Sequence, residues 1–461
     1  MTDPLESSLR QAVVAQSDVM LGALAEWVSI ASVSADPARK TDVTRSARWL
    51  CATLRTFGFP MVEEWSTDGL PAVYACWPAD DPAADTLLVY SHHDVHAVKE
   101  EEWCETSPFT PALRDGRLFG RGASDAKGQV ISHLWALRAH LSDGRTAPPV
   151  TLKLLIEGEE EIGSVHLADL LADHREALAA DLVMVSDTML WSLDDAAVCT
   201  TVRGSVNAHL EIRGAHRDVH SGAVSGAAPN PLTELCRILG QLHDDEGRIT
   251  LPGFYDSVRE SPPDEQAEQD PLPAVDHDAW LSDTGTFAVV GEEDRSIQER
   301  IWFRPSAEVS SMVGGDPEEP ARGVIPAAAS ADLLLRLVPD QSADEVAEQL
   351  GRWLEGHGGK SFQYDLEVSS TKSDPYTTPA DLPALAVLRR SMADAFGGPP
   401  RRMGNGGAAP AAQLSRAMEA PVLFFGTGLL DDRWHGPDEK VEAQALIRGA
   451  HTLAAFYRGL S

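Results

Sequence analysis

Basic residues are scarce in this chain. Its 461 residues include 38 Lys and Arg against 71 Asp and Glu, a formal net charge of −33. Nucleic-acid surfaces need clustered Lys and Arg, and so does docking on anionic membranes, so neither partner is expected. The acidity names no substrate; net charge governs solubility and steering, and salt adaptation explains it equally well. Cysteine is scarce too. The five (Cys51, Cys76, Cys104, Cys199, Cys236) are scattered and lack CxxC spacing, which argues against a disulfide framework and for a reducing, cytoplasmic location. No apolar run approaches the ~20 residues that span a bilayer. The opening MTDPLESSLRQ has neither a basic region nor an apolar core, so no signal peptide is read there. The remaining composition, 43% hydrophobic and 24% charged, suits a globular protein, and the length favours two domains.

Apolar spacing lays out the elements. Helices are expected over 5–31, 41–57, 130–141 and 165–179, and strands over 87–90, 152–156 and 182–185. This alternation predicts an α/β fold, a mostly parallel sheet covered by helices. The pattern changes near 200. Strands with one wet face are expected over 206–212 and 331–338, with helices from Pro231 and over 342–356. The second of these helices opens on the capping pattern Ser342-Ala-Asp-Glu345. Residues 258–275, acidic and Pro-rich, read as a surface excursion. After 382 the first pattern returns: a helix to Phe396, a Gly-rich turn at 404–410, a helix over 410–418, a strand over 422–425 and a closing helix over 441–458. The division that follows is a discontinuous catalytic domain, 1–199 with 373–461, interrupted by an inserted α+β domain at 200–372. No internal repeat is visible.

Potential metal ligands fall where this layout predicts convergence. His92 and Asp94 end the apolar run LLVYSHHDVH, Asp125 lies in GRGASDAKG, Glu160 and Glu161 in IEGEEEIGS, Asp187 in LVMVSDT and His435 in RWHGPDEKV. In open α/β sheets functional groups gather beyond the carboxyl ends of the strands. His92 offers an imidazole nitrogen suited to zinc, and Asp94 can fix its tautomer. Asp125 can bridge two cations, with His92 and Asp187 on one and Glu161 and His435 on the other. That leaves Glu160 free as a general base. Each member has a bland reading: adjacent glutamates are usually a solvated turn, an Asp after a strand is usually a helix N-cap, His220 in RDVHSG reads as a loop histidine, and Arg336 as a sheet-edge ion pair. His93 and His96 read as neighbours of the site. The joint pattern carries the functional reading.

These motifs, with EWCETSPFTPALRDGRLFGRGASDAKG between the first and second, resemble the dinuclear zinc exopeptidases that include carnosinase, carboxypeptidase G and the aminoacylases. GFYDSV, RDVHSG, IWFRPSAEV, GVIPAAASADLLLRLVP and RWHGPDEKV are most similar to the carnosinase-type dipeptidase branch, over about residues 20–460. The resemblance implies two divalent ions per subunit, Zn²⁺ before Mn²⁺ or Co²⁺, on His92, Asp125, Glu161, Asp187 and His435, with Asp94 orienting His92 and Glu160 as base. It implies a cis peptide after Asp125, a lid and homodimer interface in 200–372, and His220 reaching the partner's site to stabilise the oxyanion. It implies that Arg336 holds the C-terminal carboxylate of a small peptide, with Asn405 and Gly406 as further substrate contacts. Two positions depart from the branch: a hydroxyl residue of the Gly-rich turn is Ala408 here, and the Thr before Val-Ile-Pro is Gly323. Dipeptide hydrolysis is the first expectation. An N-acyl amino acid amidohydrolase is the second, and a non-catalytic binding protein on the same scaffold is the distant third.

Overall fold

The computed structural model describes residues 4–142, 144–259, 275–315 and 322–460. Its central sheet has six strands in the order Met61–Trp65, Ala72–Trp77, Thr151–Glu157, Thr86–His92, Leu182–Val185, Val422–Phe424. The last four run parallel and the first two are added antiparallel. Side chains alternate across a strand. Leu87 and Val89 therefore enter one core with helices Ser17–Val28, Lys127–Leu141 and Ala443–Leu460. Leu88 and Tyr90 enter a second core on the opposite face. Covering both faces buries nearly all of the parallel strands and leaves their carboxyl ends as the open edge.

A second sheet is antiparallel, in the order Ser306–Gly314, Ala328–Leu337, Ala197–Arg213, Gln363–Val368. Helices Pro231–Leu239 and Ala343–His357 cover one face around Leu210, Leu235, Leu333 and Trp353.

Several elements differ from expectation. The helix at 5–31 is two, Pro4–Val14 and Ser17–Val28, and that at 165–179 breaks at His174, whose ring stacks on Trp65. The strand at 206–212 starts much earlier, at Ala197, and its first half pairs with Tyr376–Thr377 and Arg401–Ala408. The Gly-rich turn at 404–410 is thus mostly a strand. Gly404 and Gly406 are needed there because a Cβ would meet Trp302 Cβ at 2.7 Å and Ile301 Cγ2 at 2.8 Å. Ser342 precedes its helix without a side-chain cap; the Ala343 N–H donates to Asp374 instead, at 2.8 Å. Most of the excursion at 258–275 lies outside the described residues.

Candidate dinuclear metal centre

Four parallel strands deliver the candidate ligands to one edge. His92 ends its strand, Glu160 and Glu161 follow Glu157, Asp187 follows Val185, and His435 trails Phe424. Asp125 comes from the turn before helix Lys127–Leu141, and the Asp125–Ala126 peptide bond is cis. Asp125 stands in the middle: its Oδ1 lies 3.2 Å from His92 Nε2 and its Oδ2 3.1 Å from His435 Nε2. On one side, His92 Nε2 is 3.8 Å from Asp187 Oδ1. On the other, His435 Nε2 is 3.2 Å from Glu161 Oε2. Asp94, fully buried, sits 3.4 Å from His92 Nδ1 and accepts the N–H groups of Glu160 and Glu161 at 3.3 and 3.1 Å. It therefore ties the His92 ring to the Glu160–Ile162 turn.

The electrostatics are those of a carboxylate cluster short of positive charge. Burial and Asp187 push Glu160 well above the usual carboxylate range. Burial and Asp125 raise Glu161 to about 7. Burial opposes ionisation of Asp125 as well, yet His435 and His92 hold it below its ordinary value. Burial alone would lower His92, but Asp125, Asp187 and Asp94 raise it well above normal. Asp125 and Glu161 raise His435 to about 10. Protons on the imidazoles thus compensate the carboxylates, a role that bound cations take over by displacing them.

The donor set fits metal. Buried polar atoms normally find partners, but Glu161 Oε1 and Asp187 Oδ1 are buried without one. Ligand atoms of His92, Glu160 and Asp187 lie within 4.8 Å of one another, as do those of His96, Glu161 and His435. Mixed imidazole and carboxylate sites suit zinc and its neighbours. His96 is the surprise: its ring stacks on His435 with centroids 4.3 Å apart. Only His93 stays a plain neighbour, bonded through Nε2 to the Pro71 carbonyl.

The C-terminal loop is fastened by residues to which sequence reasoning gave no role. Glu439, fully buried, pairs with Arg121 at 2.6 Å and accepts the N–H groups of Gly122, Ser124 and Asp125 at 3.0 Å each. Trp434 Nε1 and Asp432 both bond Ser124 Oγ. The loop bearing His435 is thereby locked to the turn bearing Asp125. The signal was present in PDEKV, next to the ligand, but an acidic residue there has no readable partner.

The other candidates stand apart from these clusters. His220 is exposed on the short ribbon Val219–His220, paired with Val324–Ile325. Gly323, before that ribbon strand, has φ +66°, a conformation that a Thr would strain. Arg336 lies inside its sheet, opposite Ser205 and Ser306, so the edge reading is corrected. Burial depresses its pKa. Arg203, on the neighbouring strand, is lowered to about 9 by burial and by the charge of Arg336. Its Nε donates to the Gly406 carbonyl at 2.9 Å. Asn405 is engaged locally, its Oδ1 accepting the Gly407 N–H at 2.8 Å.

A partly buried cluster of carboxylates and imidazoles at a parallel-sheet edge, with His435 at its exposed rim, suits a metal-dependent enzyme. The chain belongs to peptidase family M20/M25/M40, whose model matches residues 88–459. It is 26% identical to the Beta-Ala-His dipeptidase of Rattus norvegicus, over 98% of this chain and 95% of that one. It is 27% identical to the Cys-Gly metallodipeptidase dug1 of Schizosaccharomyces pombe, over 98% of each. Among solved structures it is similar to human carnosine dipeptidase 1, with TM-score 0.84, 26% identity and coverage of 100% of this chain and 99% of that one. It is also similar to an M20 family metallo-carboxypeptidase, Sso-CP2, from Sulfolobus solfataricus, with TM-score 0.85, 27% identity and coverage of 96% and 99%. Among the described residues no helix is long and apolar enough to cross a membrane.

Proposed function

We propose that this peptidase cleaves dipeptides at the amide bond next to a free C-terminal carboxylate. The observation that carries the reading is Asp125 set between two half-sites, with Glu160 beside them. His92 and Asp187 would hold one divalent ion and Glu161 and His435 the other, with Asp125 shared; zinc is the first choice, then manganese or cobalt. Bound there, such ions polarise a carbonyl and make water nucleophilic near neutral pH. Glu160, whose proton affinity is raised by burial and Asp187, takes the proton of the attacking water and returns it to the leaving amine. Asp94 orients His92.

Residues 200–372 form a lid and homodimer interface between the catalytic segments 1–199 and 373–461. Through it, His220 reaches the partner's site and stabilises the oxyanion. Arg336 binds the substrate carboxylate. Arg203 adds a second cation on the same face, and the strand around Asn405 and Gly406 lines the approach. The protein acts in the cytosol. Purified enzyme, stripped by chelator and reloaded with Zn²⁺ or Mn²⁺, is offered dipeptides and N-acetyl amino acids. Metal-dependent cleavage of dipeptides supports the proposal; cleavage of the acyl amino acids alone replaces it with a deacylase.

A further inference from the structure

Helix Lys127–Leu141 is buried on every side from Lys127 to Leu137, yet it carries Gln129 and His133 inward. Buried polar side chains are costly unless fully bonded, and the partners of these two are specific. The Gln129 amide spans two loops. Its Nε2 donates to the Ser124 carbonyl at 3.3 Å, and its Oε1 accepts the Thr188 N–H at 3.2 Å. Ser124 precedes Asp125, and Thr188 follows Asp187. One turn along the same helix face, His133 Nε2 lies 2.8 Å from Ser186 Oγ, and its Nδ1 lies 2.6 Å from the Tyr457 hydroxyl. Ser186 precedes Asp187.

The proton directions follow from the network. Ser186 Oγ donates to the Phe425 carbonyl at 3.0 Å, so it accepts from His133 Nε2–H. Nδ1 then accepts from the Tyr457 hydroxyl. Both neighbours of Asp187 are therefore held by one helix, and so is the neighbour of Asp125. The Gln129 amide is also clamped from behind: a Cβ on Gly426 would lie 2.5 Å from its Oε1 and 1.9 Å from the Thr188 carbonyl oxygen. The Asp187 carboxylate itself has a buried oxygen with no hydrogen-bond partner, only His92 Nε2 at 3.8 Å.

We infer that Gln129 and His133 are positioning residues that fix Asp125 and Asp187 relative to one another, and so set metal affinity in the half-site of His92, Asp125 and Asp187. This rests on the proposed ligand assignment. Partners behind metal ligands typically change metal affinity about 10- to 100-fold when removed.

The test is Co²⁺ titration of the full-length, metal-stripped protein, read by visible absorption and by bound-metal stoichiometry after dialysis, with thermal melting alongside. Asp187→Asn and Glu161→Gln mark the two half-sites. Gln129→Met keeps volume and removes both bonds. Ser132→Ala is the control, because its hydroxyl bonds only the Gly128 carbonyl of the same helix. The expected result is about a 10- to 100-fold weakening of one cobalt equivalent in Gln129→Met, with the spectral change of Asp187→Asn and a smaller loss in the second equivalent, which shares only Asp125. His133→Phe cuts the other strut and should do the same if Gln129→Met fails to fold. Wild-type cobalt binding in the folded strut variants would overturn the inference. So would equal weakening of both equivalents in step with a lowered melting temperature, or a matching change in Ser132→Ala. If Asp187→Asn itself keeps both equivalents, the ligand assignment is what fails.

Discussion

The two sheets handle their charged groups in opposite ways. At the edge of the parallel sheet, each ionisable candidate is packed against others: Asp94 holds the turn of Glu160 and Glu161, Glu439 the turn of Asp125, and Asp125 both imidazoles. Beside the antiparallel sheet His220 is exposed on its own short ribbon, and on the sheet itself burial depresses both Arg336 and Arg203, with the charge of Arg336 lowering Arg203 further. The first region is a carboxylate-rich cluster whose natural counterpart is a cation. The second is a set of donors whose natural counterpart is an anion.

The sharpest way to break this contrast is Glu160→Ala. Turnover should fall about 10²- to 10⁴-fold, the usual contribution of a general base, while metal content, read by elemental analysis, stays near wild type. Substantial residual turnover would move the base elsewhere. His220→Ala should cost about 10²- to 10³-fold, the loss of one oxyanion donor, again without metal loss. If His220 serves the partner's site, mixing His220→Ala with Glu160→Ala subunits should restore activity that neither has alone. Arg336→Ala should lower kcat/KM about 10- to 100-fold, as expected for hydrogen bonds to a charged group. That loss should disappear for substrates whose C-terminus is amidated; an equal loss on both would assign Arg336 a structural role.

The convergence of the strand-end candidates was legible because two rules sufficed: an apolar run marks a buried parallel strand, and parallel strands share an open edge. His92, Glu160, Glu161, Asp187 and His435 follow from that logic without any contact being known. What could not be read depends on partners far along the chain. Glu439 looks like a surface acid until Arg121, 318 residues away, is placed on it. His96 looks like a neighbour until the 435 loop returns to stack on it. The glycines at 404–407 look like a turn until Trp302 and Ile301 explain why a strand there must lack side chains. Ser342 had the right residue spacing for a cap, but Asp374 reaches the helix start first.

The smallest expected effect is on pH. Without a cation, burial and Asp125 raise Glu161 to about 7, and Asp125 and Glu161 raise His435 to about 10. A cation must displace those protons, so affinity should weaken as pH falls through about 10 and more steeply below about 7, and binding should release protons. Calorimetry in buffers of different ionisation enthalpy measures that release; a binding heat that does not vary with the buffer would place the metal elsewhere.

Two ions sharing Asp125 are expected at this one edge. Anomalous diffraction from crystals of the zinc-loaded protein tests it most directly. Two peaks are expected in each chain, one touching His92, Asp125 and Asp187, the other touching Asp125, Glu161 and His435. A single peak, or a pair that leaves Asp125 outside both, would contradict it.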